Sequence, residues 1–225
     1  MKILIGGDSW GLGEWPAIHE WQQETNHRGI WQYFEEDGHE VEIKAIPGQS
    51  NKTTISHMCN YVNGNYDYVF WFQSDPLRDL RPYDDFGNTI KNYNDLIEQS
   101  NFLLDESYKE LNDRTNCKIY CIGGCSKLNV DLISKYKNLI PFVESLTELI
   151  LVDYKHPEIW HSDWINYVER LDESIIDFLL PNKMKQDSLS EVEEYRKYFW
   201  PDGSHPNRHG HKVLYDIILK NCDIF

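Results

Sequence analysis

Near its start the chain reads Lys2-Ile3-Leu4-Ile5-Gly6-Gly7-Asp8-Ser9-Trp10-Gly11. A short apolar run that stops at two glycines is typical of a buried strand followed by a tight turn. The segment therefore predicts a first buried strand that ends at a turn carrying Asp8 and Ser9.

Apolar runs of strand length recur along the chain and are separated by stretches with helical periodicity. The predicted strands cover residues 2–6, 41–46, 68–72, 117–122 and 148–152. The predicted helices cover residues 20–36, 51–62, 89–111, 162–180, 188–198 and 209–220. The third strand is continuous, aromatic and β-branched, which favours a central position in the sheet. The alternation predicts an α/β fold with about five mainly parallel strands and helices on both faces.

A chain of 225 residues is the usual length of one α/β domain, so residues 1–225 are expected to form a single domain. Residues 75–88 contain two prolines and dense charge. This composition predicts a surface loop inserted beside the functional site, because loops carry most binding residues.

Composition excludes several classes of protein. A hydrophobic share of 40% and an aromatic share of 14% argue against disorder. The net charge of −15 disfavours nucleic acid and anionic membranes as partners. Residues 1–5 are too short for a signal peptide, and no apolar run approaches the ~20 residues of a membrane span. We expect a soluble, cytoplasmic protein whose five cysteines are free thiols.

Three turns follow predicted strands, at residues 7–11, 47–51 and 73–76. Ligands of open parallel sheets bind beyond the carboxyl ends of the strands, so these turns are the candidate site. Residues 7–11 match the G-x-S-x-G pattern of a nucleophile elbow. The α/β-hydrolase fold that carries this elbow needs several strands before its serine, whereas only one precedes Ser9. The match indicates an exposed serine on a strand-to-helix turn, on a different fold.

A serine nucleophile requires a base, and the base requires an orienting carboxylate. The sequence Trp200-Pro-Asp202-Gly-Ser-His205-Pro-Asn207 places an aspartate three residues before a histidine, just ahead of the last helix. One tight turn at Gly203 brings the two side chains together. Taken alone, this pair is more typical of an ordinary helix entry than of catalysis.

Together these segments resemble the SGNH (GDSL-type) hydrolase superfamily. Gly7-Asp8-Ser9 is similar to its first motif, Gly48 to its oxyanion-hole glycine, and Asp202 to Pro206 with Gly210 to its last D-x-x-H motif. The resemblance implies a flavodoxin-like αβα sandwich without cofactor or metal. It also implies ester hydrolysis through an acyl-enzyme, with Ser9, His205 and Asp202 as the catalytic residues.

The third motif of the superfamily is altered in this chain. It usually reads G-x-N-D, and its asparagine helps to bind the oxyanion, whereas this chain has Phe72-Gln73-Ser74-Asp75. Gln73 carries the same amide on a longer arm, and Ser74 is the positional match. The expected oxyanion donors are therefore the Ser9 and Gly48 amides with Gln73 or Ser74. Losing one such donor costs about 10²–10³ in turnover.

Two alternatives stand beside this prediction. The altered motif also fits a weak or inactive relative that serves as a binding or structural protein. A metal site at His205, His209 and His211 would need an irregular backbone, because residues two apart on a helix point in nearly opposite directions.

The expected substrate is a small-molecule or carbohydrate ester. Trp10, Trp15 and Trp200 are near the site in sequence and suit either packing or stacking on a sugar. The acidic charge repels an anionic ester at long range unless Arg78 or Arg81 offsets the field locally. It therefore favours a neutral ester, such as an O-acyl or O-acetyl group on a sugar.

Overall fold

The computed structural model describes residues 1–13, 27–80, 93–124, 126–151, 195–199 and 205–222. Five strands form one sheet: β1 (Lys2–Gly7), β2 (Glu40–Ala45), β3 (Tyr68–Gln73), β4 (Ile119–Gly123) and β5 (Leu139–Val143). They lie in the order β2-β1-β3-β4-β5, and every neighbouring pair is parallel. This is the flavodoxin-like strand order, so the predicted α/β class and the central position of β3 are confirmed.

The described residues also form seven α-helices. These are α1 (Ser9–Leu12), α2 (Gly29–Glu36), α3 (Asn51–Met58), α4 (Tyr93–Arg114), α5 (Val130–Ile133), α6 (Leu146–Ile150) and α7 (Arg208–Asn221). Two short 3₁₀ helices lie at Pro76–Leu80 and Tyr195–Lys197. None of the helices described has the length and the apolar character needed to cross a membrane.

Helices cover both faces of the sheet because side chains of each strand alternate between two cores. Ile3 and Ile5 of β1 pack in one cluster with residues of α2 and α7. Leu4, between them, packs in the other cluster with residues of α3 and α4. Burial of both faces explains why the strands are continuously apolar rather than alternating. The expected three-layer αβα sandwich is confirmed.

The end of β1 fits closely against β3, and this fit requires glycine. Gly7 has φ +119° and pairs with Phe72 across the ladder. A Cβ added to Gly7 would lie 2.3 Å from the Phe72 carbonyl oxygen. Only glycine meets both conditions, so the first turn can begin directly above the neighbouring strand.

The predicted fifth strand at residues 148–152 is wrong. Residues Leu146–Ile150 form α6, whose N-cap Ser145 accepts a hydrogen bond from Glu148 N at 3.2 Å. A short apolar run alone fits either a strand or a helix, and here the cap and the acidic first turn favour the helix. The fifth strand is Leu139–Val143 instead. It contains Pro141, and proline is tolerated there because β5 is at the edge of the described sheet.

Several other predictions fall partly on residues that the structure does not describe. Of the predicted helix at 20–36, the part from Gly29 to Glu36 is confirmed, while residues 14–26 lie outside the described ranges. The predicted loop at 75–88 begins with the 3₁₀ helix, and its remainder is not described. The helix at 162–180 and most of that at 188–198 are also outside.

The expected free thiols are found at Cys59, Cys117 and Cys121. Cys125 lies outside the described ranges.

Candidate active site

The three predicted turns lie together at the carboxyl ends of the strands. β1, β2 and β3 are adjacent and parallel, so their carboxyl ends carry Ser9, Gly48 and Ser74 to the same side. This edge is where open parallel sheets bind ligands. The structure therefore brings together the three segments that the sequence singled out.

The turn after β1 presents Ser9 at the start of α1. The Asp8 carboxylate caps this short helix by accepting a hydrogen bond from Trp10 N at 3.0 Å. Asp8 is wholly buried, and Ser9 retains 5% exposure. Capping satisfies an amide that a helix start leaves without a partner, and it fixes the direction of the following residues. Asp8 thus shapes the turn, as a cap rather than as a reacting group.

His205 lies directly against this serine. Ser9 Oγ and His205 Nε2 are 2.8 Å apart, although 196 positions separate them in sequence. An isolated antiparallel bridge between Phe199 and Pro206 and a 2.8 Å hydrogen bond from Asn207 N to Tyr198 O hold the approach to α7. The distance is that of a hydrogen bond between a nucleophile and its base. The predicted partner Asp202 lies outside the described residues.

The turn after β2 carries Gly48 in a left-handed conformation. Its φ is +69°, and a Cβ placed there would meet nothing within 4 Å. The conformation, rather than lack of space, favours glycine. The next residue, Gln49, accepts a 2.8 Å hydrogen bond from the Ser74 hydroxyl. This bond ties the turn after β2 to the turn after β3.

Gln73 is buried, and its amide is fully engaged on the side of β4. Its Nε2 donates to Ser126 Oγ and to the Lys127 carbonyl, both at 3.1 Å. Its Oε1 accepts from the hydroxyl of Tyr108, whose pKa burial raises well above the usual value. A primary amide has two hydrogens, and both are given to protein acceptors. None remains for a substrate oxygen.

Ser74 is engaged as well. Its hydroxyl donates to Gln49 O, and its backbone N–H donates to Asn51 Oδ1 at 2.8 Å. The structure brings Ser74 to the site, where its hydrogens tie loops together. The altered third motif therefore leaves both of its candidate oxyanion donors bonded to protein atoms.

Asn51 and Arg78 contribute to the site through contacts that the sequence did not predict. Asn51 Nδ2 donates to Ser74 O at 3.1 Å and to Asp79 Oδ2 at 2.9 Å. Burial raises the pKa of the Asp79 carboxyl, against the opposing effect of hydrogen bonds from Lys52 N and Asn51. Asn51 had a visible signal only as a helix-start residue. Arg78 lies in the predicted loop beside the site, and the sequence indicated its charge but not its contacts.

The histidines proposed as alternative metal ligands do not converge. His209 is exposed, whereas His211 is wholly buried on the opposite side of α7. Both ring nitrogens of His211 are without a hydrogen-bond partner. Burial, with smaller effects of His27 and His205, lowers the pKa of His211 to about 3. No group of three or more potential metal ligands occurs among the described residues.

Trp10 packs in the core and does not line the site as a stacking platform. Its side chain is 1% exposed and belongs to the cluster with α2 and α7. Its ring lies 6.3 Å from the His205 ring, tilted by 44°. Of the two interpretations, packing is therefore the correct one for Trp10. Trp15 and Trp200 lie outside the described residues.

No family model and no curated protein matches the sequence. Among solved structures, a carbohydrate esterase whose active site displays divergent catalytic and non-catalytic binding functions superposes with a TM-score of 0.51. It is 10% identical, over 100% of this chain and 68% of its own.

Two further structures are similar to this chain. A lipase/acylhydrolase from Enterococcus faecalis is 12% identical over 97% of this chain and 93% of its own, with a TM-score of 0.43. A member of the lipolytic G-D-S-L family from Veillonella parvula is 13% identical over 100% of both chains, with a TM-score of 0.42. The structural neighbours are thus lipolytic and esterase proteins, and this chain shares the fold of the carbohydrate esterase.

Proposed function

We propose that this chain is a serine ester hydrolase of the SGNH type. The observation that carries the proposal is the 2.8 Å distance between Ser9 Oγ and His205 Nε2 at the carboxyl edge of the sheet. A serine and an imidazole in hydrogen-bond contact are the minimum needed for nucleophilic catalysis, although Ser9 is more buried than the exposed serine that the sequence predicts. The activities of the structural neighbours agree with it.

The reaction proceeds in two steps. Ser9 Oγ attacks the carbonyl carbon of the ester while His205 Nε2 takes its proton, and the imidazolium then protonates the departing alcohol. Water attacks the resulting acyl-enzyme with His205 again as base, which releases the acid and restores Ser9. Asp202, three residues before His205, orients the imidazole and stabilises its charged form.

The oxyanion is bound by backbone amides in this proposal. Ser9 N–H lies at the start of α1, and Gly48 N–H lies in the left-handed turn after β2. Neither Gln73 nor Ser74 adds a donor while its hydrogens are given to protein acceptors. A site with one donor fewer is expected to turn over about 10²–10³ more slowly than a complete one.

A neutral ester is the proposed substrate, such as an O-acyl or O-acetyl group on a carbohydrate. The net charge of −15 repels anionic esters at long range. The resemblance to a carbohydrate esterase is in keeping with this class. The preference is tested by comparing kcat/KM for acetylated sugars with kcat/KM for anionic acyl esters. A higher value for the anionic esters would contradict it.

The catalytic assignment is tested by hydrolysis of p-nitrophenyl acetate. We expect Ser9→Ala and His205→Ala to reduce kcat to the background of the buffer, and Asp202→Asn to reduce it by up to about 10⁴. His209→Gln serves as the matched control, because this histidine is exposed on α7 and lies outside the site.

A second candidate function is a binding or structural protein that retains the fold without turnover. The engagement of both third-motif side chains with protein acceptors favours it. Equal rates for wild type and His205→Ala would support this second candidate and contradict the first.

A further inference from the structure

Arg78 lies where the loops of the site meet. Its Nη1 is 3.1 Å from Ser74 Oγ, in the turn after β3, and 3.5 Å from Asp8 Oδ2, in the turn after β1. The 3₁₀ helix Pro76–Leu80 carries it, and Arg78 N is bonded to Asp75 O at 3.0 Å. The guanidinium therefore contacts two of the three loops directly.

The third loop is reached through one more hydrogen bond. The Ser74 hydroxyl that accepts from Arg78 donates its own hydrogen to Gln49 O, next to Gly48. At the other end, the Asp8 carboxylate beside Arg78 caps the helix that presents Ser9. A continuous chain of contacts thus runs from the turn of Ser9, through Arg78 and Ser74, to the turn of Gly48.

Charge explains why an arginine suits this position. Asp8 is 0% exposed, and a buried carboxylate is stable only with a countercharge or strong hydrogen bonds. The guanidinium carries a permanent charge, and its Nη1 has two hydrogens, so this one nitrogen can serve both Asp8 Oδ2 and Ser74 Oγ. A lysine ammonium keeps the charge without the planar geometry of the guanidinium.

We propose that Arg78 is a positioning residue, which holds the turns of Ser9 and Gly48 at the spacing required to bind the oxyanion. This inference rests on the proposed ester hydrolysis. The asparagine of the usual third motif is absent, and Gln73 and Ser74 give their hydrogens to protein acceptors. Arg78 compensates by fixing the two remaining amide donors, because small displacements of such donors are costly for the rate.

The test compares kcat and KM for p-nitrophenyl acetate in wild type, Arg78→Ala, Arg78→Lys and the control Arg114→Ala. Arg114 pairs with Glu110 on the exposed side of α4, away from the site. We expect Arg78→Ala to lower kcat by about 10- to 100-fold and to change KM less than about threefold. The kcat of Arg78→Lys should lie between those of wild type and Arg78→Ala, and the kcat of Arg114→Ala should equal that of wild type.

Chemical rescue separates positioning from general destabilisation. Methylguanidinium should raise kcat of Arg78→Ala by about tenfold, while sodium chloride at equal ionic strength should not, because only the first restores the lost donors. A kcat for Arg78→Ala within about twofold of wild type, or no rescue beyond that seen with Arg114→Ala, would overturn the role of Arg78.

Two other results have a separate meaning: an Arg78→Ala protein that does not fold, and a wild-type protein without activity. If Arg78→Ala does not fold, Arg78→Lys decides: a reduced kcat at an unchanged urea midpoint supports the role, and an unchanged kcat overturns it. If wild type is as inactive as Ser9→Ala, the ester hydrolysis itself is overturned, and the role of Arg78 with it.

Discussion

The buried imidazole of His211 should make the protein less stable as the pH falls, and replacing it should remove part of that dependence. The ring is 0% exposed, and neither of its nitrogens has a hydrogen-bond partner. Burial therefore keeps it neutral and lowers its pKa from 6.5 to about 3. His27 and His205 add smaller effects in the same direction.

The sign and size of the effect follow from proton linkage. Below pH 6.5 the unfolded chain binds a proton at His211 that the folded chain excludes, so folding loses free energy as the pH falls toward 3. Above pH 6.5 both states are neutral, and this loss is absent. Each pH unit within the window corresponds to about 1.4 kcal/mol. Between about pH 7 and about pH 5, His211 should therefore lower the free energy of unfolding by about 2 kcal/mol.

The assay is urea unfolding of wild type and His211→Leu, followed by tryptophan fluorescence, at about pH 7 and about pH 5. Other groups also titrate, so the informative quantity is the difference between the two proteins. That difference should shift by about 2 kcal/mol in favour of His211→Leu at the lower pH. His209→Gln, at an exposed position on the same helix, is the control and should keep the wild-type dependence. An unchanged difference between wild type and His211→Leu would refute the buried, neutral state of His211.

Three further predictions concern the packing that supports the site, and urea or thermal unfolding measures each. Asn51→Leu should cost about 3 kcal/mol, because it removes hydrogen bonds to the Ser74 backbone and to buried Asp79; a loss below about 1 kcal/mol would contradict this. Gly7→Ala should cost more than about 3 kcal/mol, since its Cβ would lie 2.3 Å from a backbone oxygen. Gly38→Ala, with φ +84° but open space, should cost only about 1 kcal/mol, and equal costs would argue against the close fit of β1 to β3. Tyr108→Phe should cost about 1–2 kcal/mol by leaving the Gln73 carbonyl oxygen without its donor, and no change would indicate that the bond is unimportant.

Local sequence patterns were sufficient to predict a strand or a turn where the residues that determine it are neighbours in sequence. The first strand and its turn were predicted from one apolar run and two glycines, and β1 with the cap Asp8 confirms both. The contact of Ser9 with His205 is compatible with the motif order that suggested it. The prediction of the fifth strand was wrong for two reasons. The true strand contains a proline, and the short apolar run that was assigned to a strand lies within a helix.

The contacts between loops could not be predicted, because they join residues distant in sequence through particular rotamers. Asn51 and Ser74 are 23 positions apart, and no pattern in either loop specifies their pairing. The same is true of the contact between Arg78 and Asp8. His211 is different, since it continues the apolar stripe of Leu214 and Ile218 on α7. Its helical spacing indicated a core position, and this signal was available in the sequence.

In the proposed reaction, Ser9 is the nucleophile and His205 activates it. Reaction with a fluorophosphonate, followed by mass analysis of the digested protein, tests it most directly, because this reagent modifies a serine that an adjacent base has activated. We expect one adduct on the peptide containing Ser9, strong loss of labelling in His205→Ala, and no labelling in Ser9→Ala. Labelling that persists in Ser9→Ala, or an adduct on another residue, would contradict it.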